Sequence, residues 1–276
     1  MADEAAGGEH WLLYAAEAGV VLGGRVDLTP GLRESSAHFA APVLSLDQHL
    51  ELPALGYAAT EHALGLRLLC TAIRRGLRSG ARRVELLNLD ELGAGFRASF
   101  ESEPGRTPDH VEITVDVQPH RSERDWGSRL TVVHGRPSWA RRRAERALLE
   151  GHCRGGEAVA PCGFAARCVG GLSGRLGDSH VSWETQHKDA HRLELGYEPS
   201  AEGSVALLYA NEVLIEIVEL QGPRGTAVLV DRPWTRALHG DEPLRRVVRG
   251  PELEAWLGWA RAWAQRSVAG LSPRAK

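Results

Sequence analysis

Two helical runs and a series of short alternating segments dominate the pattern of apolar and polar positions. Leu66, Leu69, Cys70, Ile73 and Leu77 recur at spacings of three and four. They predict a helix over 58–79 with one apolar face, closed by Ser79 and Gly80. Val84, Leu86 and Leu87 then open a strand. Residues 96–101 and 110–117 both alternate and flank the turn sequence EPGRTP, which predicts an antiparallel pair. Strands are also expected at 130–133, 181–184 and 192–195, with short strand pieces around 164–169 in a Gly-rich stretch. VALLY and VLIEIVEL flank Ala210-Asn211-Glu212 as a hairpin, and TAVLVD follows. A helix is predicted from Pro137 to Glu150 and another at the end of the chain, where Trp256, Trp259 and Trp263 fall at i, i+3 and i+7. The run 11–22 is mostly apolar, so its pattern does not separate strand from helix. Residues 27–42 look polar and turn-rich, residues 43–53 read as a linker or edge strand, and residues 1–9 as a disordered leader.

This order predicts an α+β fold, with a mostly antiparallel sheet covered by helices and a small β-rich second half. The boundaries expected are 1–9, 10–135 and 136–276. A chain of 276 residues with 43% hydrophobic and 25% charged residues buries a core easily. A net charge of −3 makes no demand for nucleic acid, which is not expected as a partner. Lysine occurs only at Lys188 and Lys276, so the basic residues are nearly all arginine. The run 11–22 is too short and, with Glu17, too polar to span a bilayer. The acidic start lacks the positive region of a secretion signal. Four cysteines in a chain this long suit reduced thiols, so a cytoplasmic location without membrane attachment is expected.

Helix, Ser-Gly-Ala turn and strand over Leu66–Leu87 (LRLLCTAIRRGLRSGARRVELL) resemble the first core helix of the GHKL, or Bergerat-fold, ATPases, the group of gyrase, MutL, sensor kinases and the ninety-kilodalton heat-shock chaperone. In those proteins the helix carries E-x-x-x-N-x-x-D: the Glu activates water and the Asn holds magnesium. The resemblance puts Arg67, Thr71 and Arg74 at the three positions. Arginine stays protonated and cannot serve as a general base. Threonine is a poor substitute for a magnesium ligand. Asp90, Gly93 and Gly95 resemble the adenine-reading D-x-G-x-G, but their spacing is one residue longer, and no segment follows that could form a phosphate-covering lid. The stretch 204–269 is similar to the tail of uncharacterised bacterial proteins that carry a GHKL-like module. Taken together, the resemblance implies a GHKL-like sandwich whose catalytic residues have been replaced. The implied role is that of a non-catalytic binding or scaffolding protein for another protein, with no cofactor.

Other chemistry stays open beside this reading. Cys153, Cys162 and Cys168, with His187 and His191, could serve a metal-dependent hydrolase. However, the cysteines lack a close Cys-x-x-Cys pair, and the two histidines sit between strand-like flanks without the H-E-x-x-H glutamate. A nucleotide-binding sensor that does not hydrolyse ATP is a third reading. Arg141, Arg142, Arg143 and Arg146 make a basic helix start, expected as a solvated face. The tryptophan face of residues 253–264 is expected either to dock on the chain's own sheet or to form a partner interface. No Ser-His-Asp, Walker or G-x-S-x-G signature is present.

Overall fold

The structure, a computed structural model, describes residues 9–23, 25–40, 64–89, 95–102, 111–116, 127–153, 165–168, 182–188, 191–197, 202–240 and 242–271. Helices α1 (Trp11–Gly23), α2 (Leu64–Arg78) and α3 (Trp139–His152) belong with a seven-stranded sheet of order β5-β4-β3-β6-β2-β1-β7. Its strands are β1 (Arg25–Thr29), β2 (Glu34–Phe39), β3 (Ala81–Leu89), β4 (Gly95–Ser102), β5 (Val111–Asp116), β6 (Gly127–His134) and β7 (Ala165–Cys168). All pairings are antiparallel except β1 with β7. The expected pairing of the two segments around EPGRTP is β4 with β5, Phe100 opposite Ile113.

Alternation decides which face of this sheet is covered. Val84 and Leu86 of β3, Leu130 and Val132 of β6, and Ala37 and Phe39 of β2 point into the core. Glu34, Ser36, Glu85, Leu87, Arg97, Arg129 and Thr131 line a shallow polar hollow on the other face. α1 and α2 lie against each other and on the sheet. Their approach is close enough to require glycine. A Cβ on Gly19 would stand 2.5 Å from Val26 Cβ, and one on Gly65 would stand 2.6 Å from Leu22.

One open choice is resolved here and one expectation is corrected. The run 11–22 is a helix, and because Trp11–Val20 are all buried it has no polar face to betray its period. The stretch 27–42, read as turn-rich, holds most of the β1–β2 hairpin. Its inward positions include Ser35, so the apolar alternation is broken where the core accepts a hydroxyl.

The second half carries a five-stranded sheet of order β11-β10-β12-β9-β8 and a two-stranded ribbon, β13 with β14. These strands are β8 (Ser182–Lys188), β9 (His191–Tyr197), β10 (Val205–Ala210), β11 (Val213–Glu219), β12 (Thr226–Asp231), β13 (Arg236–His239) and β14 (Glu242–Val247). The β10–β11 turn has φ of 52° at Asn211 and 65° at Glu212, the paired left-handed residues of a tight hairpin. Helix α4 (Pro251–Leu271) lies against this sheet. No described helix is long and apolar enough to cross a membrane.

Candidate functional site

α2 is the element on which nucleotide chemistry would depend. Its fifteen residues, LGLRLLCTAIRRGLR, contain no Asp, Glu or Asn. Thr71 is 2% exposed, and its hydroxyl donates to the carbonyl of Arg67 at 2.8 Å, turned back onto its own helix. Gly95 begins β4 opposite Leu89. A Cβ there would lie 1.9 Å from the Asn88 carbonyl oxygen, so the crossing of β3 and β4 already requires glycine. Asp90 and Gly93 lie outside the described residues.

The polar edge of α2 is taken up by the second half of the chain. Glu242 on β14 is buried and accepts from Arg75 Nη2 at 3.1 Å and from Arg78 Nη1 at 3.0 Å, with Arg74 Nη1 3.5 Å away. At the middle of α1, Glu17 is wholly buried. It pairs with Arg236 of β13 and lies 3.9 Å from Arg245 Nη1 of β14. Arg236 also donates to the Leu244 carbonyl at 3.2 Å. The Arg245 guanidinium is 5.8 Å from the Tyr14 ring centroid and makes no hydrogen bond. Burial lowers its pKa, and Glu17 opposes that fall. Burial, then the hydrogen bond to Glu9, raises the pKa of Tyr14. Thus β13 and β14 are clamped to α1 and α2 by desolvated ion pairs.

A second buried cluster lies under α3. Glu145 is 2% exposed; its Oε2 accepts from the Ser35 hydroxyl at 2.6 Å. Its Oε1 stands 3.9 Å from both His10 Nε2 and His134 Nε2, too far for a direct hydrogen bond. Burial lowers the pKa of His10 from 6.5 to about 4, helped by His134. Burial also lowers that of His134 from 6.5 to about 4, helped by Arg141. Burial raises that of Glu145 against the Ser35 hydrogen bond and Arg141.

This cluster predicts acid sensitivity. Between pH 6.5 and 4 the unfolded imidazoles hold protons that the folded ones refuse, so stability falls as pH drops through that window. By pH 5 the loss is about 2 kcal/mol per histidine, partly offset by Glu145, whose raised pKa works in the opposite sense. Urea midpoints at pH 7 and pH 5 measure the loss, and a His10→Gln/His134→Gln variant should show a flatter profile.

The metal candidates that are described belong to separate elements. Cys153 caps α3 and is buried, and its backbone bridges to Val213. Cys168 ends β7, and Cys162 lies outside the described residues. His187 and His191 belong to the two strands of the β8–β9 hairpin, opposite Arg192 and Lys188 respectively, so the i, i+4 helical arrangement does not arise. Among the described residues no group of three His, Cys, Asp or Glu is arranged to hold a metal ion.

The tryptophan face docks on the chain itself. Trp263 is 1% exposed and Trp256 9%, packed with Leu193, Leu195, Leu208 and Val228 of the sheet, with Trp259 partly buried beside them. Trp234 and Trp256 meet edge to face at 6.4 Å, with the Arg232 guanidinium 5.0 Å from both ring centroids. Sequence reasoning missed Glu17, Arg236, Arg245 and Glu242, whose partners lie far along the chain. A charged residue at Glu17 in an otherwise apolar run was the available signal.

Comparison with solved structures places this architecture. The B-subunit of the DNA gyrase from Myxococcus xanthus is similar over 93% of this chain and 88% of its own, with a TM-score of 0.50 and 14% sequence identity. The ATPase region of Saccharomyces cerevisiae topoisomerase II is similar over 94% and 84%, with a TM-score of 0.49 and 9% identity. The Aquifex aeolicus MutL ATPase domain is similar over 88% and 91%, with a TM-score of 0.37 and 9% identity. No protein-family model and no curated protein matches the sequence. The chain has a GHKL ATPase-like fold, and the gyrase subunit carries that assignment.

Proposed function

We propose that this chain is a GHKL-fold module that binds or scaffolds another protein and does not hydrolyse ATP. The observation behind the reading is α2. On the alignment with GHKL helices, Arg67 stands where water would be activated and Thr71 where magnesium would be held. Neither position can do that work: a guanidinium does not accept a proton, and the Thr71 hydroxyl is committed to the Arg67 carbonyl. Arg74, at the third position, is drawn toward Glu242 together with Arg75 and Arg78. The helix edge that would face phosphate chemistry joins the two halves of the chain instead. That use favours a fixed architecture over a nucleotide-driven cycle.

A thermal-shift titration tests the reading against a sensor that keeps ATP without cleaving it. Magnesium with ATP, ADP or a non-hydrolysable analogue is expected to leave the melting temperature unchanged. Binding at a hundred times Kd would add about 2.7 kcal/mol of stability. A rise of the matching size, lost in Asp90→Ala, would establish the sensor.

A further inference from the structure

We infer that the outer face of α3 is a docking site for an acidic segment of a partner protein; this rests on the binding-protein reading and gives its partner a chemistry. The first turn of α3 contains no acidic residue and carries Arg141, whose Nη2 donates to the Leu32 carbonyl at 2.6 Å, and Arg142, with Arg143 following. The helix dipole makes that end electropositive, so guanidinium groups there oppose the local preference. The N-terminus is nevertheless well made, with Ser138 Oγ accepting from Arg141 N at 3.1 Å. A locally unfavourable charge choice on a well-built element is a mark of function.

The neighbours extend the same charge. The chain entering α3 is tied to the β1–β2 turn by His134 N to Arg33 O at 2.8 Å and Ser138 N to Leu32 O at 3.0 Å. This sets exposed Arg33 and Arg136 on the same side as exposed Arg142 and Arg143. Glu145, on the same helix, is turned inward and buried. Glu34, beside Arg33 in sequence, lies toward the open sheet face. Trp139, 69% exposed, is the most exposed large hydrophobic side chain among the described residues, and Arg142 lies 5.6 Å over its ring.

Arginine and tryptophan together are the residue types that dominate protein interfaces. The inner side of α3 is fixed by Leu149 and Cys153 in the core, so the face is presented rigidly. Two observations favour an acidic polypeptide over nucleic acid. The chain as a whole has a net charge of −3, which repels a long polyanion beyond the patch. A lone tryptophan also offers no series of stacking platforms along a strand. A short acidic segment with an apolar residue to set on Trp139 matches both the size and the charge of the surface.

Fluorescence anisotropy with a short fluorescein-labelled Glu/Asp-rich peptide containing one leucine tests this. Binding at low salt is expected to weaken roughly tenfold or more in Arg142→Glu/Arg143→Glu and about fivefold in Trp139→Ala. It should be unchanged in Arg224→Glu, an exposed arginine on another loop. Circular dichroism melts of all three variants should match the parent, since these side chains lie outside the core. Peptide binding that ignores the α3 reversal, or is absent altogether, overturns the proposal. So does tighter binding of a single-stranded oligonucleotide through the same residues, or salt-sensitive self-association that the reversal abolishes. None of these results restores ATP turnover, so the docking site can fail while the non-catalytic reading stands. Conversely, ATP turnover alongside α3-dependent peptide binding would remove that reading and leave the docking site.

Discussion

Glu17→Gln is expected to destabilise the protein by about 3–5 kcal/mol, because it removes the only carboxylate among the described residues that pairs with Arg236 and Arg245. Both guanidinium groups are buried, and that of Arg245 makes no hydrogen bond to compensate. Stripping the charge from Glu17 leaves two buried cations uncompensated, that of Arg245 beside the Tyr14 ring. A domain's total stability is on the order of 5–15 kcal/mol, so the urea midpoint should fall steeply. A combined Glu17→Met/Arg236→Met/Arg245→Leu variant should recover most of that loss, since replacing a whole buried ionic group by apolar side chains is often neutral. An unchanged midpoint in Glu17→Gln would show that the junction between α1 and the β13–β14 ribbon is hydrated in solution.

Trp263→Ala is expected to cost about 3–5 kcal/mol as well. Its indole is 1% exposed between α4 and the five-stranded sheet, 5.2 Å from the Trp259 ring. The lost contacts cannot be recovered by collapse, because α4 is also held by Leu253, Ala260 and Ala264. Trp259→Ala, at a partly buried position, should cost less than half as much. Equal, small effects at both positions would mean that α4 sits loosely on the sheet. The ordering can be read from guanidinium denaturation curves followed by far-ultraviolet dichroism, which does not depend on the tryptophans themselves.

The parts of this structure that were legible in the sequence have a clean period. α2 shows its three-four spacing because α1 and the sheet cover most of it and leave out an edge that carries Arg67, Arg74, Arg75 and Arg78. β4 alternates because one face of the sheet is covered and the other is open. The β10–β11 turn announces itself by Asn211, whose side chain tolerates the left-handed backbone found there. Legibility failed where burial was complete or mixed. α1 is enclosed on all sides over Trp11–Val20, so no period survives, and β2 puts Ser35 in the core because Glu145 waits there to accept its hydrogen bond.

The candidate site divides in the same way. The missing carboxylates of α2 are a property of sequence and could be read directly. Arg74, Arg75 and Arg78, by contrast, look like a solvated helix edge until folding brings Glu242 to them from more than 160 positions away. Glu17 and Arg236 are 219 residues apart, and no local pattern links them. Such pairs arise from topology alone.

The proposed loss of ATP chemistry from the helix of a GHKL ATPase-like fold is open to direct measurement. Steady-state phosphate release from ATP, with and without magnesium, measures this most directly. A rate equal to the buffer blank is expected at every magnesium concentration, in the parent chain and in Asp90→Ala alike. Magnesium-dependent release above the blank that disappears in Asp90→Ala would contradict it.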